Sequence, residues 1–157
     1  NSIHVWIVWR WVRNHFMKAL LDTHAALFAW SSPDKLSKRV REIILNKKNE
    51  LLLSQVSTIE IALKYKIGKL ELPMTPVEYV ASRVQLFAFQ YISLEDVDIS
   101  VLSELPLAHR DPFDWLLLAT ARRLELPIIS CDKAFKAYPI KLIWWSDRNN
   151  HITSFLQ

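Results

Sequence analysis

Four carboxylates in this sequence stand where acids can do chemistry: Asp22, Glu60, Asp114 and Asp132. Asp22 closes an apolar run in the segment LLDTH, and Glu60 falls in Ser57-Thr58-Ile59-Glu60, just downstream of LLLS. Asp114 sits in Asp111-Pro112-Phe113-Asp114, and Asp132 follows PIIS in the segment SCD. Carboxylates gathered within several ångströms repel one another, and partial desolvation in a cleft sharpens the repulsion. A bound divalent cation removes it, and an all-oxygen donor set suits Mg²⁺ or Mn²⁺. Such a centre can activate water and offset the charge that develops on a phosphodiester.

Taken singly, each acid has an ordinary reading. Ser57 with Glu60 has the spacing of a capping box, in which each side chain satisfies a backbone donor of the other residue. Asp111, Pro112 and Asp114 have the pattern of an N-cap, a proline at the first helical position and an acid favoured by the helix dipole. Asp22 can cap the helix that follows it, and Asp132 can serve a turn.

What would bring the acids together is the order of elements. Short apolar runs at Lys18–Leu21, Leu51–Ser54, Phe89–Ser93, Pro127–Ser130 and Ile140–Trp144 read as buried strands. Helical stretches are expected at His24–Trp30, Lys38–Leu45, Thr58–Ile67, Val77–Leu86, Ile99–Leu105 and Phe113–Glu125. Strands separated by helices argue for βαβ units, a parallel sheet and an α/β layered fold. Continuously apolar strands agree, because parallel strands are covered on both faces. In such a sheet the strand C-termini and the N-termini of the following helices share one edge, where ligands bind. All four acids map to that edge, with Glu60 expected in the first turn of its helix.

Composition excludes several rivals. About half of the 157 residues are hydrophobic and 23% are charged, as in one globular domain with a sizeable core. There is one glycine, Gly68 in KIGKL, where average usage would supply about eleven. Neither GxGxxG nor GxxxxGK[ST] can be written with it, so any phosphate must be held by something other than a glycine-rich backbone nest. Gly68 itself fits a residue just past a helix end. The single cysteine, Cys131, allows no internal disulfide, and no CxxC or HExxH pattern offers a zinc site. These features fit a cytoplasmic setting. The net charge of +4 is compatible with a nucleic-acid partner. No apolar run reaches the roughly 18 residues of a membrane span.

The stretches LLDTHAALFAW (20–30), SQVSTIEIALKYKIGKLEL (54–72), AHRDPFDWLLLATA (108–121) and LPIISCDKAFKAY (126–138) together resemble the PIN-domain ribonucleases, and among them the VapC-type toxins of toxin–antitoxin pairs. The resemblance runs from Met17 to about Trp145. It implies a three-layer α/β/α sandwich around a central parallel sheet, with acids holding Mg²⁺ or Mn²⁺. Matched position by position, Asp22 and Asp114 become the direct metal ligands, and Glu60 and Asp132 complete the cage or orient water. It further implies an endoribonuclease that cuts by in-line attack of activated water, leaving a 5′-phosphate and a 3′-hydroxyl. RNA substrate, a cognate antitoxin protein and a homodimer follow as partners. Two departures stand out: Trp115 replaces the basic or small residue common after Asp114, which points to altered base stacking or partner contact, and Asn1–Phe16 has no counterpart.

That first segment holds three of the seven tryptophans and no acid, and Met17 begins a stretch that reads like a protein start. Residues 1–16 are therefore expected to be an upstream extension, the alternative being an aromatic interaction arm, with 17–145 the nuclease-like domain and 146–157 a polar tail. Thr23 and Ser130 adjoin strand-end acids and suit either ligand or substrate hydrogen bonds or local caps. Arg110 suits RNA or antitoxin contact, or is a solvated charge. Lys64 suits a helical ion pair with Glu60 or, with Lys66 and Lys69, steering of a phosphate backbone. A PIN-like module that binds antitoxin or nucleic acid without cutting is the rival reading. An aspartyl-phosphate phosphatase or receiver domain ranks below both, since the segment around Asp22 lacks the DxD or paired acids those sites need.

Overall fold

The first described strand, β1 (Lys18–Leu21), is buried from its second residue onward, because its alternate side chains enter two different cores. Ala19 and Leu21 point to one side of the sheet and Leu20 to the other. The computed structural model describes residues 16–105 and 111–145. Residues 1–15, residues 106–110 with Arg110 among them, and the polar tail at 146–157 lie outside the described residues.

After β1 the chain forms α1 (Thr23–Ser31), a 3₁₀ turn at Pro33–Lys35 and α2 (Lys38–Leu45). Then come β2 (Glu50–Ser54), α3 (Gln55–Lys66), α4 (Pro76–Phe87), β3 (Gln90–Ile92) and α5 (Asp96–Leu102). The last elements are α6 (Pro112–Leu124), β4 (Ile128–Ser130), a 3₁₀ segment at Lys133–Ala137 and β5 (Leu142–Trp144). All five strands are parallel, in the order β3-β2-β1-β4-β5.

Helices cover both faces. On one, Ala25, Ala26 and Ala29 of α1, Val40, Ile43 and Ile44 of α2, and Val80 of α4 pack against Ala19, Leu21, Leu51, Leu53, Ile129 and Ile143. On the other, Val56 of α3 and Leu117, Leu118 and Ala121 of α6 pack with Leu20, Leu52, Ile128 and Phe135. This is the parallel-sheet α/β fold expected from the strand–helix alternation, in the three-layer α/β/α form that the family resemblance implies. The alanines of α1 set a close approach of that helix to the sheet, and burying each large aliphatic side chain contributes about 1.5–3 kcal/mol.

Three expectations need correction. The run Phe89–Ser93 is not a buried strand: β3 is shorter and its Gln90 and Tyr91 are exposed. It lies at the sheet edge, where only one flank and part of one face are covered. The helix expected from Ile99 begins at Asp96, because Glu95 and Asp98 form a capping box upstream. The helix expected from Thr58 begins at Gln55, capped by the Ser54 hydroxyl, which accepts from the Val56 N–H. At its other end Gly68 has φ +76° just past the last turn, as expected of a helix terminator.

Candidate active site

The sheet order reverses at β1: the chain first builds outward through β2 and β3, then returns to the other flank of β1 with β4 and β5. Loops leave in opposite directions at such a switch point and open a crevice at the strand C-termini. Asp22 follows the last residue of β1, and Ser130 ends the adjacent β4. The Ser130 hydroxyl donates to Asp22 Oδ2 at 2.6 Å and accepts from the Asp132 N–H at 3.0 Å. Two neighbouring strand ends are thereby joined through one buried hydroxyl. Asp22 occupies the N-cap position of α1 but makes no side-chain cap bond, so capping does not account for it.

Asp111 is the N-cap of α6, accepting from the Phe113 and Asp114 N–H groups at 2.9 and 3.4 Å. With Pro112 behind it, this cap fixes the first turn and carries Asp114 into the crevice, where only 6% of the residue remains exposed. The Asp132 carboxylate accepts from the Ala134 N–H at 2.9 Å, in the turn role open to it. Glu60 is 4% exposed and meets the Lys64 ammonium at 2.6 Å, one helical turn on.

The electrostatics show which acids share a neighbourhood. The Asp114 carboxyl is pushed up to about 9, by burial first and then by the charges of Asp22, Asp111, Asp132 and Glu60. The other three acids singled out from sequence, and Asp111 with them, therefore all act on Asp114. Asp22 moves the other way: burial raises it, but His24, Ser130 and the Thr23 backbone N–H together hold its carboxyl below the ordinary value. The pair divides its charge, Asp22 ionised and Asp114 carrying a proton. Among the described residues no three His, Cys, Asp or Glu side chains are closed into a ready-made metal cage. The carboxylates converge in charge without enclosing a common point.

The capping box expected of Ser57 and Glu60 is absent. Because Ser54 is the cap, Ser57 lies inside α3, where its buried Oγ accepts from the Thr23 hydroxyl at 2.9 Å. Glu60 accordingly stands in the second turn of the helix. Thr23 thus holds α1 to α3, and Ser130 holds Asp22. Lys64 makes the ion pair with Glu60. Trp115, half-buried, packs against the core under α6. A residue that no motif singles out joins the site: His24, two residues after the strand-end acid in LLDTH, has its Nδ1 3.8 Å from Asp22 Oδ2.

The PIN domain profile matches residues 19–141, and the chain belongs to that family. Among solved structures, it is similar to a chain of VapBC2 from Rickettsia felis bound to a promoter DNA fragment, with TM-score 0.61 and 19% identity, covering 83% of this chain and 100% of that one. It is likewise similar to a chain of a toxin–antitoxin complex from Klebsiella pneumoniae, with TM-score 0.57 and 18% identity over 82% and 98% of the two chains. A chain of DNA-bound VapBC from Salmonella typhimurium gives TM-score 0.58 and 17% identity over 83% and 99%. At these identities the likeness is one of fold. No curated protein matches the chain. Among the described residues no helix is long and apolar enough to cross a membrane.

Proposed function

We propose that this PIN-domain chain is a divalent-metal-dependent endoribonuclease of the VapC type, cytoplasmic and held in check by a cognate antitoxin protein. The observation that carries the reading is the buried Asp114, kept protonated by burial and four neighbouring carboxylates. A site that confines this much negative charge at a strand edge is matched by a divalent cation, and its donors are all oxygen, as Mg²⁺ and Mn²⁺ prefer. Asp22 and Asp114 would hold the cation directly, and Asp132 and Glu60 would complete the set. When bound, the cation supplies water activation and counter-charge for a phosphodiester.

The chain's own residues do the positioning. Ser130 fixes the carboxylate of Asp22, and the cap at Asp111 fixes the turn that presents Asp114. Asp114 would have to lose its proton to hold a cation, and Lys64 neutralises Glu60 in the cation-free chain. Hydrolysis of RNA would leave a 5′-phosphate and a 3′-hydroxyl. The test is cleavage of RNA by the purified chain with Mg²⁺ or Mn²⁺, set against a chelator control; an unaltered RNA ladder under both conditions refutes the reading.

A second reading, a PIN-like module that binds antitoxin or nucleic acid without cutting, draws on the ion pair that already occupies Glu60 and on the absence of a closed cage among the described residues. Calorimetric titration with Mn²⁺ separates the two. The nuclease reading expects heat that depends on Asp22 and Asp114, with about one proton released per cation near pH 7, because ligands must be deprotonated to bind. With Asp114 at about 9, affinity rises with pH between 6 and 8 by up to about tenfold per unit. A titration without heat or proton release supports the inactive module.

Ile59, Leu63 and Ile67 form an exposed apolar stripe along α3 and its C-cap, 42%, 47% and 63% exposed. Spacing of four residues places them on one face. This face suits the homodimer or the antitoxin. Leu63→Glu is expected to lower the apparent mass in sedimentation or to release co-expressed antitoxin, while circular dichroism stays unchanged.

A further inference from the structure

Beside the acid crevice lies a groove of about 440 Å³ between α1, α4 and the segment that follows α3. Two residues straddle the groove and the acids: His24 faces Asp22, and Lys64 faces Glu60. The groove wall carries the rings of Phe28, Trp30 and Tyr79, with Trp30 set edge-on to Tyr79 at 5.7 Å. Cations lie over two of them, Lys35 Nζ 5.4 Å from the Phe28 ring centre and the Arg83 guanidinium 5.2 Å from that of Tyr79. Lys69 adds a further positive charge, against one acid, Glu71.

Three nitrogens in this wall, His24 Nε2, Trp30 Nε1 and Arg83 Nε, are screened from solvent and have no hydrogen-bond partner among the described residues. Buried polar groups are ordinarily paired. Small rotations of His24 or Arg83 would offer this unmet capacity to a ligand rich in acceptor oxygens and ring nitrogens. Aromatic faces interleaved with cations, in a positive groove, are the arrangement that seats unpaired nucleotides: rings stack on bases and cations meet phosphates.

We propose that this groove is a nucleotide subsite, which seats an unpaired nucleotide flanking the scissile phosphate and sets the base preference there. The assignment rests on the nuclease reading for the word scissile, and on the groove itself for binding. Trp30 and Arg83 are the specificity-determining residues, Trp30 through the part of its ring that lines the groove and Arg83 through its guanidinium.

The test measures binding of fluorescein-labelled single-stranded RNAs of about ten nucleotides, uridine-only and adenosine-only, by anisotropy. Full-length chain carrying Asp114→Asn is used with Mg²⁺ present, so that cleavage does not enter. Adding Trp30→Phe or Arg83→Gln is expected to weaken binding by about fivefold or more, since stacking and cation contacts of this kind contribute strongly per base, and to narrow the gap between the two homopolymers. Melting curves check the fold of each variant; should Trp30→Phe unfold the chain, Arg83→Gln alone decides. Unchanged affinity and unchanged base preference in a folded Arg83→Gln variant overturn the subsite, and that result is expected if the groove serves a protein segment instead. Failure of the wild-type chain to cut any RNA overturns the nuclease reading without touching this binding measurement.

Discussion

Asp114→Asn is expected to abolish RNA cleavage, by a factor of about 10³ or more where a metal ligand and its charge are lost, and at the same time to make the cation-free protein more stable. The second half of this expectation follows from the sign of the Asp114 shift. Its carboxyl is raised from 3.8 to about 9 in the folded chain, so between those pH values the folded state holds a proton that the unfolded state has released. Folding stability therefore falls as pH rises through that window. An amide of the same shape carries no charge to desolvate and does not titrate. At pH 7 without metal the variant should gain about 1–3 kcal/mol, read as a rise of about 2–8 °C in Tm for a chain of this size. The gain should shrink as pH falls towards 4 and vanish below about pH 3, where the wild-type carboxyl is protonated in both states. Saturating Mn²⁺ should reverse the order, because a ligand at a hundred times its Kd stabilises the wild type by about 2.7 kcal/mol. A variant that cuts RNA like the wild type, or melts below it at pH 7 without metal, refutes the place given to Asp114.

Arg123→Ala is expected to lower stability by about 3–5 kcal/mol, the loss typical of stripping one partner from a buried ion pair. Asp98 on α5 is wholly buried. Its Oδ2 accepts from Arg123 Nη2 at 3.2 Å and from the Glu95 N–H at 3.0 Å, and its Oδ1 meets Arg123 Nε. Arg123 Nη1 also reaches Glu95 at 3.4 Å. One guanidinium thus fastens a seven-residue helix to α6. Without it a carboxylate is left in the interior with a single backbone donor. Chemical denaturation should show the loss, and the pair Asp98→Asn with Arg123→Met should recover much of it, since a neutral amide does not need the cation. Arg122, by contrast, meets Glu104 at 3.9 Å with both side chains exposed, and its removal should change stability by no more than about 0.5 kcal/mol.

Much of the site was readable because strand-end acids and helix caps leave local marks. Asp111-Pro112-Phe113-Asp114 announced both the cap and the acid one turn behind it, and the structure keeps each in that place. LLDTH located Asp22 after its strand for the same reason. Local marks also misled. Ser54 and Ser57 each offer a plausible start for α3, and the choice falls to Ser54 because Ser57 is consumed by Thr23, 34 residues away in the chain. No window of sequence contains that pairing. The same holds for Asp98 with Arg123, 25 residues apart, and for His24, whose approach to Asp22 depends on the turn between β1 and α1. Trp115 departs from the family pattern and packs, half-buried, against the core that α6 shares with Leu20, Leu52 and Phe135.

The reversal of strand order at β1 divides the labour between the two halves of the chain. Asp22 and Glu60 come from the half made first, Asp114 and Asp132 from the half made last. β4, which carries Ser130 and leads into Asp132, must slot in beside β1 before the carboxylates face one another. A chain that stops short of this strand holds three of the four acids, lacking Asp132, and has no Ser130 to steady Asp22. The full carboxylate set is thus an assembled property, complete only once β4 has paired with β1 and brought Ser130 onto Asp22.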